Sequence, residues 1–355
     1  MDMVDILVEV LELQASDLHL TVGLPPVVRI HGKLEQLDYP RLGPGDLREL
    51  IYSILTQDQR QRVETEWEID FSYSVPGRAR FRVNAFFQRN SLGAAFRLIP
   101  VEIRSIDELQ LPRILHSFCQ KPRGFIILTG PTGSGKSTTL AAIIDEINET
   151  RQEHIMTIED PIEFLHRHKK CVVNQREVGT DTKSFARALK SVLRQDPDVI
   201  LVGEMRDLET IQTALTAAET GHLVFATLHT QDCPQTIDRM IDVFPPHQQE
   251  QIRVQIAATI QGIVTQQLLE RRGGGRCVAC EVLLATPAVR NLIREGKTHQ
   301  IYTVMQTGTK FGMQTMDSSL ADLVRRGVIT RETADQRSSN PEDLGRLLIS
   351  SAGAA

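Results

Sequence analysis

One segment of the chain has residue types and spacing suited to holding phosphate groups: it reads Gly130-Pro131-Thr132-Gly133-Ser134-Gly135-Lys136-Ser137. It matches the pattern G-x-x-x-x-G-K-[ST] in full, where glycines let backbone N–H groups close around phosphates. The lysine of this pattern reaches the β- and γ-phosphates, and the final hydroxyl ligates Mg²⁺. We therefore predict ATP or ADP with Mg²⁺ as ligands. The candidate nucleotide-binding residues are Thr132, Gly133, Ser134, Gly135, Lys136, Ser137 and Thr138.

A second candidate, Glu204, follows the apolar run Val199–Val202 and Gly203. A carboxylate at such a strand end can hold Mg²⁺, directly or through water, together with Ser137. The alternative is a surface acid in the turn before Arg206. We favour the metal-binding interpretation because the carboxyl ends of parallel strands point towards one site.

Glu163 allows two interpretations from its neighbourhood alone. The sequence Asp160-Pro161-Ile162-Glu163 has the outline of a capping box, with Asp at the N-cap, Pro at N1 and Glu at N3 of a helix. The catalytic interpretation places Glu163 beside the γ-phosphate, where it would orient the attacking water. Residue types and spacing do not separate the two.

Two histidines, His222 and His229, bracket the apolar run 223–228. We interpret His229 as a sensor of the γ-phosphate, because it follows a strand of the predicted nucleotide-binding sheet. For His222 the sequence supports the sensor interpretation and the structural interpretation equally.

Arginines are the last candidates. Arg78, Arg80 and Arg82 share one strand face, which is typical of a solvated strand. Arg97 is flanked by apolar residues and is harder to explain in that way. Arginines of one subunit can reach the phosphates held by its neighbour, which is the functional alternative for Arg82 and Arg97.

Four short apolar runs, each followed at once by polar residues, indicate the elements that must position these side chains. They are residues 125–128, 155–158, 199–202 and 223–226. Such runs suit buried parallel strands, and helical segments lie between them. The alternation predicts an α/β doubly wound sheet whose strand ends converge on one site.

Composition limits the class of protein. The 355 residues are 41% hydrophobic and 24% charged, and the net charge is −5. No block of consecutive Lys or Arg stands out, which counts against nucleic-acid binding as the main function. No apolar run reaches the roughly 18 residues that cross a bilayer, and the acidic N-terminus is unlike a signal peptide. We expect no direct membrane insertion. Five cysteines suggest reduced thiols, and Cys277 with Cys280 lacks the second pair of a Cys₄ zinc site.

The motifs together resemble the secretion ATPases of type II and type IV pilus systems, over nearly the whole chain. The matching segments are SDLHLTVGLPPVVRIHGK (16–33), TIEDPIEF (157–164), DPDVILVGEMRD (196–207) and TGHLVFATLHT (220–230). AVRNLIRE (288–295) is similar to the AIRNLIRE helix of the retraction branch, as is the segment 306–330. Extension ATPases usually carry extra N-terminal sequence and a four-cysteine zinc site, which this sequence lacks.

The resemblance implies an α/β fold: a RecA-like P-loop ATPase core, a smaller α+β (PAS-like) N-terminal domain and a C-terminal helical region. We place the core at 121–284, the N-terminal domain at 1–99, a linker at 100–120 and the helical region at 285–355. The resemblance also makes Glu163 the catalytic base, and it makes Arg82 and Arg97 residues that act across a subunit interface.

The function implied is an ATPase that drives type IV pilus retraction and twitching motility. The implied assembly is a cytoplasmic homohexamer, docked below an inner-membrane platform protein at the pilus base, with a paralogous accessory ATPase as a further partner. The alternatives are an accessory or extension-type ATPase of the same superfamily and a RecA-like nucleic-acid translocase. Acidic charge and the lack of a basic, aromatic-rich groove count against the translocase, so we expect no nucleic-acid partner.

The segment 288–295 is predicted to be one short helix, because Thr286-Pro287 suits the N-cap and N1 and Gly296 suits the stop. Arg290 and Arg294 are like charges four residues apart, which destabilise an isolated helix. We expect carboxylates elsewhere in the ring or on a partner to offset them. By the resemblance, the helix carries a transmission motif. Its double Arg→Ala variant should keep folding and ATPase activity and lose retraction. The motif residues are Arg290, Asn291, Arg294 and Glu295.

Overall fold

The computed structural model describes residues 1–99 and 102–349. Residues 100 and 101 of the predicted linker and residues 350–355 of the predicted C-terminal region lie outside the described part. The described residues form two compact units. The first consists of the residues up to Glu102 together with Glu163–Leu165, and the second contains the rest.

The first unit is an antiparallel sheet with the strand order β3-β2-β1-β6-β5-β4 and three helices among its described residues. Alternation along β5 buries Phe81 and Val83 and exposes Arg82, as the two-residue period of a strand requires. This confirms the predicted face for Arg82. Arg80 on the same face is half-buried, and Arg78 lies in the turn before β5. The elements are α1 (Met3–Glu12), β1 (Asp17–Leu20), β2 (Val27–Ile30), β3 (Lys33–Gln36), α2 (Pro44–Ser53), α3 (Gln57–Glu66), β4 (Glu68–Val75), β5 (Ala79–Gln88) and β6 (Ser91–Ile99).

The second unit begins as an alternation of strands and helices and ends in helices. Its first elements are α4 (Ile114–Cys119), β7 (Gly124–Thr129), α5 (Lys136–Thr150), β8 (His154–Glu159), β9 (Val172–Glu177), α6 (Phe185–Val192), β10 (Val199–Val202), α7 (Leu208–Glu219) and β11 (Leu223–Thr227). Its later elements are α8 (Cys233–Asp242), α9 (Pro246–Thr259), β12 (Ile260–Glu270), β13 (Arg276–Leu284), α10 (Pro287–Arg294), α11 (Ile301–Thr307), α12 (Met316–Arg325), α13 (Arg331–Arg337) and α14 (Pro341–Ile349). Short 3-10 turns lie at Thr298–Gln300 and Thr309–Phe311.

The sheet of the second unit has the order β13-β12-β7-β11-β10-β8-β9. Neighbouring strands are parallel except β12 and β13, which pair antiparallel. The four strands predicted from the apolar runs are confirmed as β7, β8, β10 and β11. Because parallel strands point the same way, the residues that follow these strands meet at one edge of the sheet.

Both faces of this sheet are buried, as expected for parallel strands. One face packs around residues such as Ile200 and Ile237, and the other around Ile126 and Ile144. A third cluster joins Leu320 of α12 to the β12–β13 hairpin. Five residues of the segment predicted as a linker are buried in the second of these clusters: Ile106, Leu111, Leu115, Phe118 and Cys119.

Polar caps set where several helices begin. The carboxylate of Asp207 accepts the Thr210 N–H at the start of α7, at 2.8 Å. The hydroxyl of Thr286 accepts the Val289 N–H at the start of α10. Gly296, just past the end of α10, has φ of +68°, a conformation that favours glycine. The predicted limits of α10 are therefore confirmed.

Candidate nucleotide-binding site

The phosphate-binding pattern lies in a loop between β7 and α5. Three glycines of this loop have positive φ: Gly130 (+135°), Gly133 (+79°) and Gly135 (+92°). A Cβ added at Gly130 would also lie 2.4 Å from the carbonyl oxygen of Gln266. Glycine is therefore required at these positions by backbone conformation and, at Gly130, by close packing. The loop ends at the N-terminus of α5, where free N–H groups favour an anion.

Lys136 is only 8% exposed, and its ammonium donates to the carbonyl oxygens of Gly130 at 2.8 Å and Pro131 at 3.0 Å. Burial lowers the pKa of this ammonium, and the negative charge of Glu204 opposes that shift. The structure therefore brings Lys136 and Glu204 within electrostatic range of each other. The buried hydroxyl of Ser134 has no hydrogen-bond partner among the described residues, which leaves a donor for an incoming oxygen anion.

Glu204 follows β10 and Gly203. The Gly203 N–H donates to the carbonyl oxygen of Ile158 at 2.7 Å, and a Cβ at Gly203 would lie 3.2 Å from the Cα of Glu159. The Thr227 hydroxyl donates to the Gly203 carbonyl oxygen. These contacts bind the end of β10 to the ends of β8 and β11, which fixes the backbone that carries the carboxylate.

The Glu204 carboxylate has two side-chain partners, Arg206 and His229. Arg206 Nη2 lies 2.6 Å from one oxygen, and His229 Nε2 lies 2.9 Å from the other. Burial alone would raise the pKa of the Glu204 carboxyl, but hydrogen bonds and charge from Arg206 and His229 outweigh it and hold that pKa below its ordinary value. Glu204 is therefore ionised at neutral pH. These three residues line a cleft of about 270 Å³.

Three threonine hydroxyls form a chain beside the loop. Thr129, the residue before Gly130, contacts the Thr230 hydroxyl and donates to the Thr230 carbonyl oxygen, both at 2.7 Å. The Thr230 and Thr236 hydroxyls are also 2.7 Å apart. This chain joins the end of β7 to α8. The sequence offered no signal for this chain of hydroxyls, because its members are remote in sequence. The ion pair between Arg206 and Glu204 was not predicted either, although the two residues are only two positions apart.

The structure separates the two histidines. His229 contacts Glu204, as a residue of the predicted site should. The His222 ring instead lies 2.9 Å from the carbonyl oxygen of Ala217 and 3.4 Å from the Thr220 hydroxyl, at the end of α7. These contacts favour the structural interpretation of His222, and its role stays a prediction.

Of the two interpretations of Asp160–Glu163, the capping box is wrong. No helix begins there, and the Ile162 N–H donates to the Glu177 carboxylate at 3.0 Å instead of turning back to Asp160. Glu163 is exposed in this irregular segment and is grouped with the first unit. The capping-box interpretation therefore does not hold, and the catalytic interpretation of Glu163 stays a prediction.

Arg82 and Arg97 lie opposite each other on β5 and β6, within the first unit. Arg97 lies opposite Asp17 of β1 in turn, and its Nε donates to the Asp17 carboxylate at 3.0 Å. Burial would raise the pKa of Asp17, but hydrogen bonds from Ser16 and Arg97 and the Arg97 charge hold it below its ordinary value. The Arg97 side chain remains 73% exposed, so its guanidinium is available to solvent.

Within the chain, Arg290 binds backbone carbonyl groups. Its guanidinium donates to the carbonyl oxygens of Ala257, Ala258 at 2.9 Å and Ala285 at 3.1 Å. Burial lowers the pKa of Arg290, and the charge of Arg294 adds to that shift. Backbone carbonyls at the end of α9 therefore offset the Arg290 charge.

The other motif residues of α10 are exposed. Asn291 donates to the Glu295 carboxylate at 2.7 Å, and Lys297 lies 2.8 Å from the same group. These contacts, with the Arg290 hydrogen bonds, leave Arg294 as the exposed cation of the helix.

The architecture and the loop define a class of protein. The family model described as "Type II/IV secretion system protein" matches residues 3–336, and the chain belongs to that family. Among the described residues no helix is both long and apolar enough to cross a membrane.

The similar proteins are more specific. The chain is 51% identical over 343 residues to the type IV pilus retraction ATPase PilT of Pseudomonas aeruginosa, covering 97% of this chain and 100% of that protein. It is 51% identical to a twitching motility protein of Neisseria gonorrhoeae, covering 90% and 86%. The crystal structure of the pilus retraction motor PilT with bound ADP aligns with a TM-score of 0.92 at 52% identity, covering 98% and 99%. The predicted fold class, a RecA-like ATPase core with a smaller N-terminal domain, is confirmed by this likeness.

Proposed function

We propose that this chain hydrolyses ATP to drive the retraction of type IV pili. The observation that carries the proposal is a complete phosphate-binding loop beside an ionised carboxylate, in a chain 51% identical over 97% of its length to a pilus retraction ATPase. The site supplies the ATPase activity, and the full-length similarity supports the use of that activity for retraction.

The residues of the loop suit Mg²⁺-ATP. Mg²⁺ prefers hard oxygen ligands. The exposed Ser137 hydroxyl and the ionised Glu204 carboxylate are such ligands, so the donor set fits the ion. Held there, the ion would supply positive charge to offset that of the phosphates. Lys136 would then exchange its two carbonyl partners for phosphate oxygens, and Ser134 and the α5 N-terminus would donate to the same group.

The remaining roles follow the family resemblance. Glu163 acts as the base that orients the attacking water, and His229 reports the γ-phosphate through its contact with Glu204. Arg82 and Arg97 reach the phosphates held by the next subunit, for which the exposed Arg97 guanidinium is suited. Arg290, Asn291, Arg294 and Glu295 form the transmission motif.

The assembly is a cytoplasmic homohexamer docked below an inner-membrane platform protein at the pilus base, with a paralogous ATPase as accessory. The functional domains are residues 1–99, a core at 121–284 and a helical region at 285–355, joined by a linker at 100–120. An accessory role for this chain itself is the second candidate, because it is 43% identical to the pilus ATPase PilU of Pseudomonas aeruginosa.

The experiment is a gene deletion complemented with wild-type chain, with Lys136→Ala or with Glu163→Gln. Loss of retraction with pili retained supports the proposal, and restoration is expected from the wild-type chain alone. Purified Glu163→Gln protein should bind ATP and hydrolyse it about 10²–10⁴-fold more slowly, the usual worth of a positioned base. Absence of pili in the deletion strain would indicate an extension motor. Retraction that persists in the strain would indicate an accessory role.

A further inference from the structure

A row of buried polar side chains crosses the sheet of the second unit. Thr129 on β7 lies opposite Thr265 on β12, and Thr265 lies opposite Glu281 on β13. Cross-strand partners project to the same face of a sheet, so the three side chains form one line. Thr129 and Thr265 are fully buried and Glu281 is 2% exposed. The line starts beside the phosphate-binding loop and ends at the last strand before the C-terminal helices.

Glu281 binds the first residue of two different helices. One carboxylate oxygen accepts the Cys233 N–H of α8 at 2.7 Å, and the other accepts the Met316 N–H of α12 at 3.4 Å. A carboxylate is favoured at helix N-termini, because the first N–H groups have no partner within the helix. Burial raises the pKa of the Glu281 carboxyl, and the charge of Asp232 adds to this. Keeping the Glu281 carboxylate ionised in this buried position therefore costs free energy. The N–H groups at the starts of α8 and α12 both stabilise it.

The α8 end of this link also contacts the nucleotide site. Thr236 on the first turn of α8 joins the hydroxyl chain through Thr230 to Thr129, which directly precedes Gly130. Thr230 follows His229, whose ring binds Glu204. The segment 229–230 is thus joined by a hydrogen bond to the first turn of α8, whose first N–H group Glu281 accepts.

The α12 end reaches the rest of the C-terminal helices. Asp317, next to Met316, is fully buried and accepts the Ser338 hydroxyl at 2.6 Å and the N–H groups of Ser339 and Asn340, each at 3.1 Å. These residues precede α14. The start of α12 is therefore the point at which both Glu281 and the segment before α14 are held.

We propose that Glu281 is a positioning residue that couples the state of the nucleotide site to the C-terminal helices, by holding the starts of α8 and α12 on one carboxylate. The link is a continuous series of hydrogen bonds, part-buried at Thr230 and buried at Glu281. Coupling between sites requires that both ends bias the same element. A purely structural carboxylate would stabilise both helices without making α12 respond to nucleotide. This inference rests on the proposed ATPase function.

The test is hydrogen–deuterium exchange of the full-length protein with and without ADP and a non-hydrolysable ATP analogue, read at peptides covering 130–138 and 313–325. In the wild-type chain nucleotide should raise protection of both peptides. In Glu281→Gln, where one of the two acceptors becomes a donor, protection of 130–138 should persist and the nucleotide response of 313–325 should be lost. Glu281→Asp keeps the charge but is one methylene shorter, so its carboxylate should not hold both helix starts at once. This variant replaces Glu281→Gln in the test if the glutamine variant does not fold.

Asp317→Asn is the matched control. Asp317 is also a buried carboxylate that accepts backbone N–H groups, but among the described residues it makes no hydrogen bond to α8. The control variant should lower the melting temperature yet retain the nucleotide response of 313–325. A response of 313–325 that survives in Glu281→Gln or Glu281→Asp overturns the proposal, as does its absence in the wild-type chain. If nucleotide fails to protect 130–138 in the wild-type chain, the proposed ATPase function itself is wrong.

Discussion

Replacing Arg290 by alanine should destabilise the second unit, because this side chain closes the end of a helix. The last four carbonyl groups of α9 lack partners within the helix. Arg290 supplies donors to two carbonyls in this region, Ala257 and Ala258, and to Ala285 beyond it. It also places a positive charge at the helix C-terminus, where the macrodipole favours one.

The size of the effect follows from these contacts. A hydrogen bond from a charged donor contributes about 1.5–3 kcal/mol, and the values for one side chain do not add. Because the Arg290 side chain is partly exposed, water replaces part of what is lost, so we expect about 2 kcal/mol in total. For a unit of this size that corresponds to a melting temperature lower by about 4–8 °C. Arg294→Ala removes an exposed charge and should cost less than about 0.5 kcal/mol.

The assay is thermal and urea unfolding of the purified wild-type chain, Arg290→Ala, Arg290→Lys and Arg294→Ala. Arg290→Lys keeps the charge but has a single donor nitrogen where Arg290 uses two, so its melting temperature should lie between those of wild type and Arg290→Ala. Equal melting temperatures for Arg290→Ala and Arg294→Ala would refute the reasoning. If the difference holds, the transmission role of α10 is better tested with Arg294→Ala, whose loss of retraction would not be explained by instability.

Further variants examine the two units separately. Lys136→Ala should abolish ATP turnover, because backbone amides do not replace the lost cation; near-normal phosphate release in that variant would remove the loop assignment. Glu204→Gln should slow turnover and be partly rescued by excess Mg²⁺, and a rate independent of Mg²⁺ concentration would contradict metal binding by this residue. Asp17, whose pKa is lowered in the folded chain, stabilises the fold above its ordinary pKa of 3.8, and this stability is lost as the pH falls through the lowered value. Arg97→Ala should therefore raise the Asp17 pKa, measured by NMR titration, and reduce the stability difference between about pH 6 and pH 3; an unchanged pKa would show that the ion pair is irrelevant. Arg82→Ala subunits mixed with Lys136→Ala subunits should recover ATPase activity in hybrid rings, and no recovery in confirmed hybrids would place the arginine's action within one subunit.

The sequence was informative where a feature is local. The loop at 130–137, the four central strands and α10 with its Thr286 cap are each specified by residues adjacent in the chain, so their patterns sufficed. Glu204 was found for the same reason, since it directly follows an apolar strand.

Features that depend on distant residues were not predictable. The capping box at Asp160 was a sound local pattern, but the carboxylate of Glu177, on another strand, takes the N–H of Ile162. Likewise, no local pattern indicated that Arg290 would bind the carbonyl groups at the end of α9. In both cases a tertiary hydrogen bond, absent from any local pattern, decided the outcome.

The place of β7 in the sheet has a consequence for how the chain acquires its activity during synthesis. The strand that carries the phosphate-binding loop lies between β11 and β12, which begin at Leu223 and Ile260. Neither neighbour has left the ribosome when the loop itself emerges. Pairing between strands so remote in sequence is slow, and it leaves apolar edges exposed meanwhile. A nascent or truncated chain that ends before β12 should therefore neither complete this sheet nor retain nucleotide, and it should be a substrate for chaperones.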